Sequence, residues 1–304
     1  MSGSLPLVTV VIATDCTAQR AAAIERALDS LRAQRGVRVQ PLLIVNGQRY
    51  SPALLERLKA DPWLRVHYVE QGGFANALGI GRSLISSEFF SFLDDDDEYL
   101  PDTLALRVGP LLQDPSVDVV VANGRRREGD HDVAVYENLP RDMSEAMGQF
   151  LRQNWLASCG GLFRAASVGL DAFEGLVSYF EWTLIGLRLL LARKNLVFLD
   201  IPVFRIHPTP QSLSRSSAYE AAGCDFLDGL LLLALPAALR ARVKESLAVA
   251  YNTRSLVHLR SGELLSAWRW HLRTLVAPGG WRYLPYTLRL STGVTRRAAR
   301  RADN

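Results

Sequence analysis

Apolar and polar positions along the chain alternate between two periods. Val8 to Ala13 is an unbroken, mostly β-branched apolar run, the pattern of a strand buried on both faces of a parallel sheet. Ala21 to Arg35 switches to helical spacing, with Ile24, Leu28 and Leu31 on one side and charges on the other. Leu42 to Val45 predicts a second buried strand, closed by an Asn46-Gly47 turn. Leu54 to Lys59 predicts a helix, Arg65 to Val69 a strand, Ala75 to Ser86 a helix and Phe89 to Leu93 a fourth strand. This alternation predicts an α/β fold with an open, doubly wound, mostly parallel sheet of Rossmann-like type.

Such sheets bind ligands just beyond the carboxyl ends of their strands. Three segments fall there: Ala13-Thr14-Asp15, Asn46-Gly47-Gln48 and the run Asp94-Asp95-Asp96-Asp97. Four adjacent carboxylates repel one another and raise one another's pKa unless a cation sits among them. Mg2+ or Mn2+ is the expected cation, because both prefer carboxylate oxygens and share themselves with substrate phosphates. An acidic turn leading into a helix, with Pro101 in its first turn, is the structural alternative.

With 304 residues, the chain has room for one large α/β domain plus an appendage, or for two modest domains. From Arg240 onward it carries 13 Lys and Arg against 3 Asp and Glu, so residues 1–239 are net acidic. The basic end predicts either a polyanionic partner, such as an anionic membrane surface or a lipid-diphosphate acceptor, or a solvated arginine-rich helical face. No nucleic-acid recognition motif accompanies it, and nucleic acid is not expected as a partner. Trp268, Trp270, Trp281, Tyr283 and Tyr286, interleaved with Arg269, Arg273, Arg282 and Arg289, fit an interfacial membrane surface or ordinary helix packing.

Cys16, Cys159 and Cys224 lack paired spacing, so neither a disulfide framework nor a zinc site is expected. The opening MSGSLPLVTVVIAT has no basic n-region, and Gly229 to Leu239 is too short to span a bilayer. The expected location is cytoplasmic, with peripheral attachment to the inner face of the cell membrane.

VTVVIAT, the glycine turn after the second strand and SEFFSFLDDDDEYLPDTL together resemble the family 2 glycosyltransferases, inverting enzymes of GT-A fold, over roughly residues 6 to 215. The resemblance implies transfer of a sugar from a nucleotide diphosphate to an acceptor hydroxyl, in cell-surface polysaccharide or glycolipid synthesis. It implies a GT-A domain over 1–217, with a nucleotide-sugar half to about 125 and an acceptor half over about 126–217; outside the resemblance, 218–304 reads as a basic helical extension. By position, Ala13, Thr14 and Asp15 would line the base and ribose. Asp94 would face the ribose and diphosphate, Asp95 would join the donor contacts, and Asp96 would hold the metal. Asn46 stands where the family commonly has a base-reading Asp, which leaves the donor as UDP-sugar by default with GDP and dTDP open. GGFANALGIG (72–81) poorly matches the family's Ala-Arg-Asn-x-Gly, and no donor-contacting arginine is assigned there.

In SYFEWTLIGLRLLLARKNLVFLDIPVFRIH, Glu181 takes the place of the family's Asp base, with Asp171 and Glu174 as fallback carboxylates. Trp182 could stack on a sugar or belong to the core. Arg205-Ile206-His207 with Ser212 and Ser214 resembles the loop that folds over the diphosphate, making His207 a second metal ligand. Two other readings remain: a catalytically silent nucleotide- or glycan-binding protein, and a sugar nucleotidyltransferase, against which the glycine-free ATDCTAQR counts.

Overall fold

The computed structural model describes residues 4–150, 152–209 and 217–291. They belong to two compact units, Met1–Pro210 and Gln211–Asn304. In the first, β1 (Leu7–Thr14), α1 (Ala21–Arg32), β2 (Arg38–Asn46), α2 (Pro52–Lys59), β3 (Arg65–Val69), α3 (Phe74–Ser83) and β4 (Phe89–Phe92) follow the strand and helix alternation of the sequence. Their strands lie in the order β3-β2-β1-β4, and every pair is parallel.

Several boundaries differ from the periodicity, among them α3, which stops at Ser83 rather than Ser86, and two have a local reason. β2 begins at Arg38 and runs through Pro41, because Pro41 lies one residue before β3 starts to pair, and its missing N–H leaves no gap in that ladder. α1 stops at Arg32 rather than Arg35. Gln34 instead donates to the Leu100 carbonyl and accepts from the Leu104 N–H, and Gly36 then turns the chain at φ +75°.

The remaining elements are β5 (Glu98–Tyr99), α4 (Thr103–Gln113), β6 (Val119–Glu128), β7 (His131–Ala134), α5 (Met143–Gln149), β8 (Gly161–Arg164), α6 (Glu181–Leu191) and β9 (Leu196–Ile206). They extend the sheet from β4 in the order β8-β6-β9-β5, with β7 a hairpin partner of β6. β8 is antiparallel to both neighbours, β9 is parallel to β6, and β5 is antiparallel to β9. The residues of β4 are all buried. Phe90 stacks on Phe163 and Phe92 on Phe173, while Val8, Val10 and Ile12 of β1 face the apolar side of α1 across the other surface. Gly81 of α3 lets the helix approach the sheet: a Cβ there would stand 2.5 Å from Val11.

This topology positions the aspartates. The chain leaves the middle of the sheet at Phe92 and rejoins it at β5, where Glu98 lies opposite Arg205 of β9. Asp94 to Asp97 therefore form a crossover from the parallel half to the far edge, beginning at the carboxyl end of β4.

The second unit is helical: α7 (Ser217–Leu231), α8 (Ala237–Ser261), α9 (Leu264–Val276), a 3-10 turn at Gly280–Tyr283, and helix over 284–291. Gly262, at φ +77°, ends α8 in the left-handed conformation that favours glycine. Among the described residues, no helix is long and apolar enough to cross a membrane.

Candidate functional site

The acidic crossover sorts its carboxylates by turn geometry. The Asp97 N–H bonds to the Asp94 carbonyl at 3.1 Å, closing a tight turn that brings residues three apart together. Ligand atoms of Asp94, Asp97 and Cys159 consequently lie within 4.8 Å of one another. Asp94 accepts a 2.6 Å hydrogen bond from the Ser158 hydroxyl, and Asp97 accepts from the His207 backbone N–H at 2.9 Å. The Cys159 thiol donates to Asp97 at 3.7 Å.

The middle pair meets a cation from another element. Arg20, at the end of the 3-10 turn that follows β1, places one guanidinium nitrogen 3.0 Å from Asp95 and 2.7 Å from Asp96. Asp95 also accepts a 2.6 Å bond from the Thr14 hydroxyl at the end of β1. The first strand and the acidic run are thus joined directly.

Arg20, with Arg26 donating to the Asp96 carbonyl at 2.5 Å, does not return the cluster to ordinary carboxylate pKa values. Burial is the main force raising Asp94 to about 7, with its neighbours Asp96 and Asp95 adding to it and Ser158 opposing. Asp95 is raised to about 6 by burial, against the pull of Thr14 and Arg20. Asp97 is pushed well up, again by burial first and then by Asp94. The Cys159 thiol is raised by burial and by the same two aspartates, so it stays protonated and is a poor ligand for a hard cation. A donor set of raised, converging carboxylates fits Mg2+ or Mn2+, whose charge would return these groups to their ionised state.

The other predicted residues fall around this turn. Ala13 is buried in β1, and Asp15 caps its own turn by accepting from the Thr17 N–H and hydroxyl, with Arg49 3.6 Å away. Asn46 donates to the Thr14 carbonyl and accepts from the Gly73 N–H, each at 3.0 Å, which ties β1, β2 and the start of α3 together. The His207 ring nitrogen Nε2 pairs with Glu98 at 3.2 Å, and Arg205 donates to both Glu98 and Asp132. Thr209 reaches Asp96 at 3.5 Å. Ser212 and Ser214 lie outside the described residues.

Glu181 opens α6 and is only 7% exposed. Burial raises its pKa, against hydrogen bonds from its own backbone N–H and that of Tyr179. The adjacent Trp182 packs edge-on against Phe92, two residues before Asp94, at 5.2 Å, and its buried indole N–H has no hydrogen-bond partner among the described residues. Asp171 and Glu174 are both exposed. Sequence reasoning did not single out Arg20, Ser158, Cys159 or Glu98 as site residues. The only signal they gave was proximity in the chain to a strand end or to the glycine pair Gly160-Gly161.

A parallel nucleotide-binding-type half, an acidic crossover at its edge and a mixed second half define a GT-A protein. The chain belongs to Glycosyl transferase family 2, whose sequence model matches residues 10–169. No curated protein sequence matches it. Among solved structures, it is similar to S. aureus TarS 1-349 in complex with UDP-GlcNAc, with TM-score 0.56 and 16% identity over 86% of this chain and 75% of that one. It is also similar to the mannosyltransferase PcManGT from Pyrobaculum calidifontis in complex with GDP-Man and Mn2+, with TM-score 0.55 and 17% identity over 97% and 81%. At these identities the likeness speaks for the fold.

Proposed function

We propose that this chain is an inverting, metal-dependent hexosyltransferase that moves a sugar from a nucleotide diphosphate to an acceptor hydroxyl of a glycan or lipid-linked precursor. The observation that carries the reading is the convergence of Asp94 and Asp97 at the carboxyl edge of the parallel half, with pKa values raised by burial and by acidic neighbours. When bound, a divalent ion would supply neutralisation of the departing nucleotide diphosphate. Asp94 and Asp97 would hold it. Asp96 would join them as Arg20 turns from the carboxylates to the diphosphate, for which a guanidinium is a matched partner. His207 would reach the ion through Nε2 by giving up its bond to Glu98.

Thr14 and Asp95, hydrogen-bonded to each other, would present the donor's ribose side, with Ala13, Asp15 and Asn46 around the base. Glu181 would take the acceptor proton: a buried carboxylate with raised pKa is a stronger base than a solvated one, and it begins the helix that packs on Phe92. We assign residues 1–217 to the transferase domain and 218–304 to an extension, and place the protein at the inner face of the cell membrane in cell-surface glycan synthesis. The basic end of the chain supports that placement.

The similar structures are complexes with UDP-GlcNAc and with GDP-Man, which makes these the first donors to try. The test is release of free nucleotide diphosphate from these donors by the purified chain, with and without Mn2+. Metal-dependent release from one of them supports transfer. Binding without release from any donor would favour the silent reading, which Asn46 supports because both ends of its amide are already engaged.

A further inference from the structure

In the helical unit, α9 has two unlike faces. Ala267, His271 and Thr274 are buried, at spacings of four and three. On the other side, Leu265, Leu272 and Val276 are 90%, 58% and 85% exposed, and after the helix Trp281 at 67% and Leu284 at 56% are exposed as well. Large apolar side chains this exposed and this closely spaced mark a surface that is covered in use. Arg269 and Arg273 are exposed on α9, and Arg282 is exposed beside Trp281. Their charge has no acidic complement nearby in the chain: between Glu263 and Asp303 there are eight arginines and no Asp or Glu.

We propose that this strip docks on an anionic lipid bilayer surface, with the leucines, Val276 and Trp281 entering the headgroup boundary and the arginines pairing with lipid phosphates. The charge pattern selects this occupant. A second copy meeting the same strip would set Arg269 and Arg273 against the same residues, with only Glu263, already paired with His258, at the edge to offset them. Nucleic acid would satisfy the arginines and leave the leucines in water. A bilayer interface takes both, and Trp is suited to that depth because its ring is apolar and its N–H polar. The inference rests on the membrane placement proposed above and deepens it, and it is independent of the donor-site reading, since it uses none of the crossover residues.

The test is sedimentation of the full chain with vesicles of phosphatidylcholine and of phosphatidylcholine mixed with phosphatidylglycerol, at low and high salt. The expected result is partitioning onto the anionic vesicles that weakens with salt. Arg269→Gln and Arg282→Gln should each reduce it about fivefold. The double variant Leu265→Glu/Val276→Glu should reduce it more than about tenfold, with an unchanged circular dichroism spectrum. Equal partitioning of wild type and the double variant overturns the proposal, as does absence of binding to anionic vesicles. A wild-type oligomer that this variant dissolves, with no vesicle binding, would assign the strip to a second copy instead.

Discussion

Arg20 and Asp96 stand 2.7 Å apart, and the same guanidinium nitrogen reaches Asp95 at 3.0 Å. A side chain from the turn after β1 thus provides the counter-charge for the middle of an acidic run that otherwise repels itself. Replacing it by Gln leaves two partly buried carboxylates uncompensated. Arg20→Gln should lower metal-free stability by about 1–2 kcal/mol, between the values for exposed and buried pairs. Mn2+ should narrow the difference. Thermal unfolding of both proteins with and without the ion checks this, and equal metal-free midpoints would remove Arg20 from the account.

Asp94 and Asp97 predict a trade of stability against function. Each is raised by burial and by acidic neighbours, so removing one charge relieves repulsion in the metal-free protein. Asp94→Asn keeps an oxygen for Ser158, and Asp97→Asn keeps one for the His207 N–H. Both variants should melt higher than wild type without metal, yet lose more than about a hundredfold in Mn2+-dependent nucleotide affinity, as expected for loss of a direct ligand. Titration calorimetry and thermal unfolding report the two effects separately.

The raised carboxylates also set a pH dependence. Asp94 moves from an ordinary 3.8 to about 7 and Asp95 to about 6 in the folded chain. Between 3.8 and these values the folded state binds more protons than the unfolded one, so metal-free stability falls as pH rises from about 4 to about 7. Mn2+ needs the ionised forms, and its affinity should rise over the upper part of that window, from about pH 6 to about 7. Binding of Mn2+ followed by its electron paramagnetic resonance signal across this range is the check. A flat profile contradicts the assignment of Asp94 to the ion.

Much of this was legible in the sequence because buried parallel strands write themselves as continuous apolar runs. VTVVIA and FFSFL marked β1 and β4, and ligand sites in such sheets follow strand ends. The sorting of four identical aspartates was not legible. It depends on one backbone hydrogen bond, from Asp97 to Asp94, which turns those two toward Cys159 and leaves Asp95 and Asp96 to Arg20. Arg20 itself looked like any solvated arginine in a polar turn, and Cys159 like any core thiol. The pairing of β5 with β9, which draws Glu98, Arg205 and His207 beside the crossover, joins residues more than a hundred positions apart and leaves no periodic trace.

Glu181 is predicted to separate binding from turnover. Glu181→Gln keeps the side chain's size at the head of α6 but cannot take up a proton. Donor affinity should stay within about twofold of wild type while transfer falls by about two to four powers of ten. Nucleotide titration alongside single-turnover transfer measures both, and near-normal transfer would move the base to another carboxylate.

The most direct test of the central claim, a metal-dependent nucleotide-diphosphate site at the Asp94–Asp97 crossover, is thermal stabilisation of the purified protein by UDP, GDP, dTDP and CDP, each with and without Mn2+. The account predicts that one nucleotide raises the melting temperature, that it does so only with Mn2+, and that the shift vanishes in Asp97→Asn. No shift with any nucleotide, or an equal shift without the metal, would contradict it.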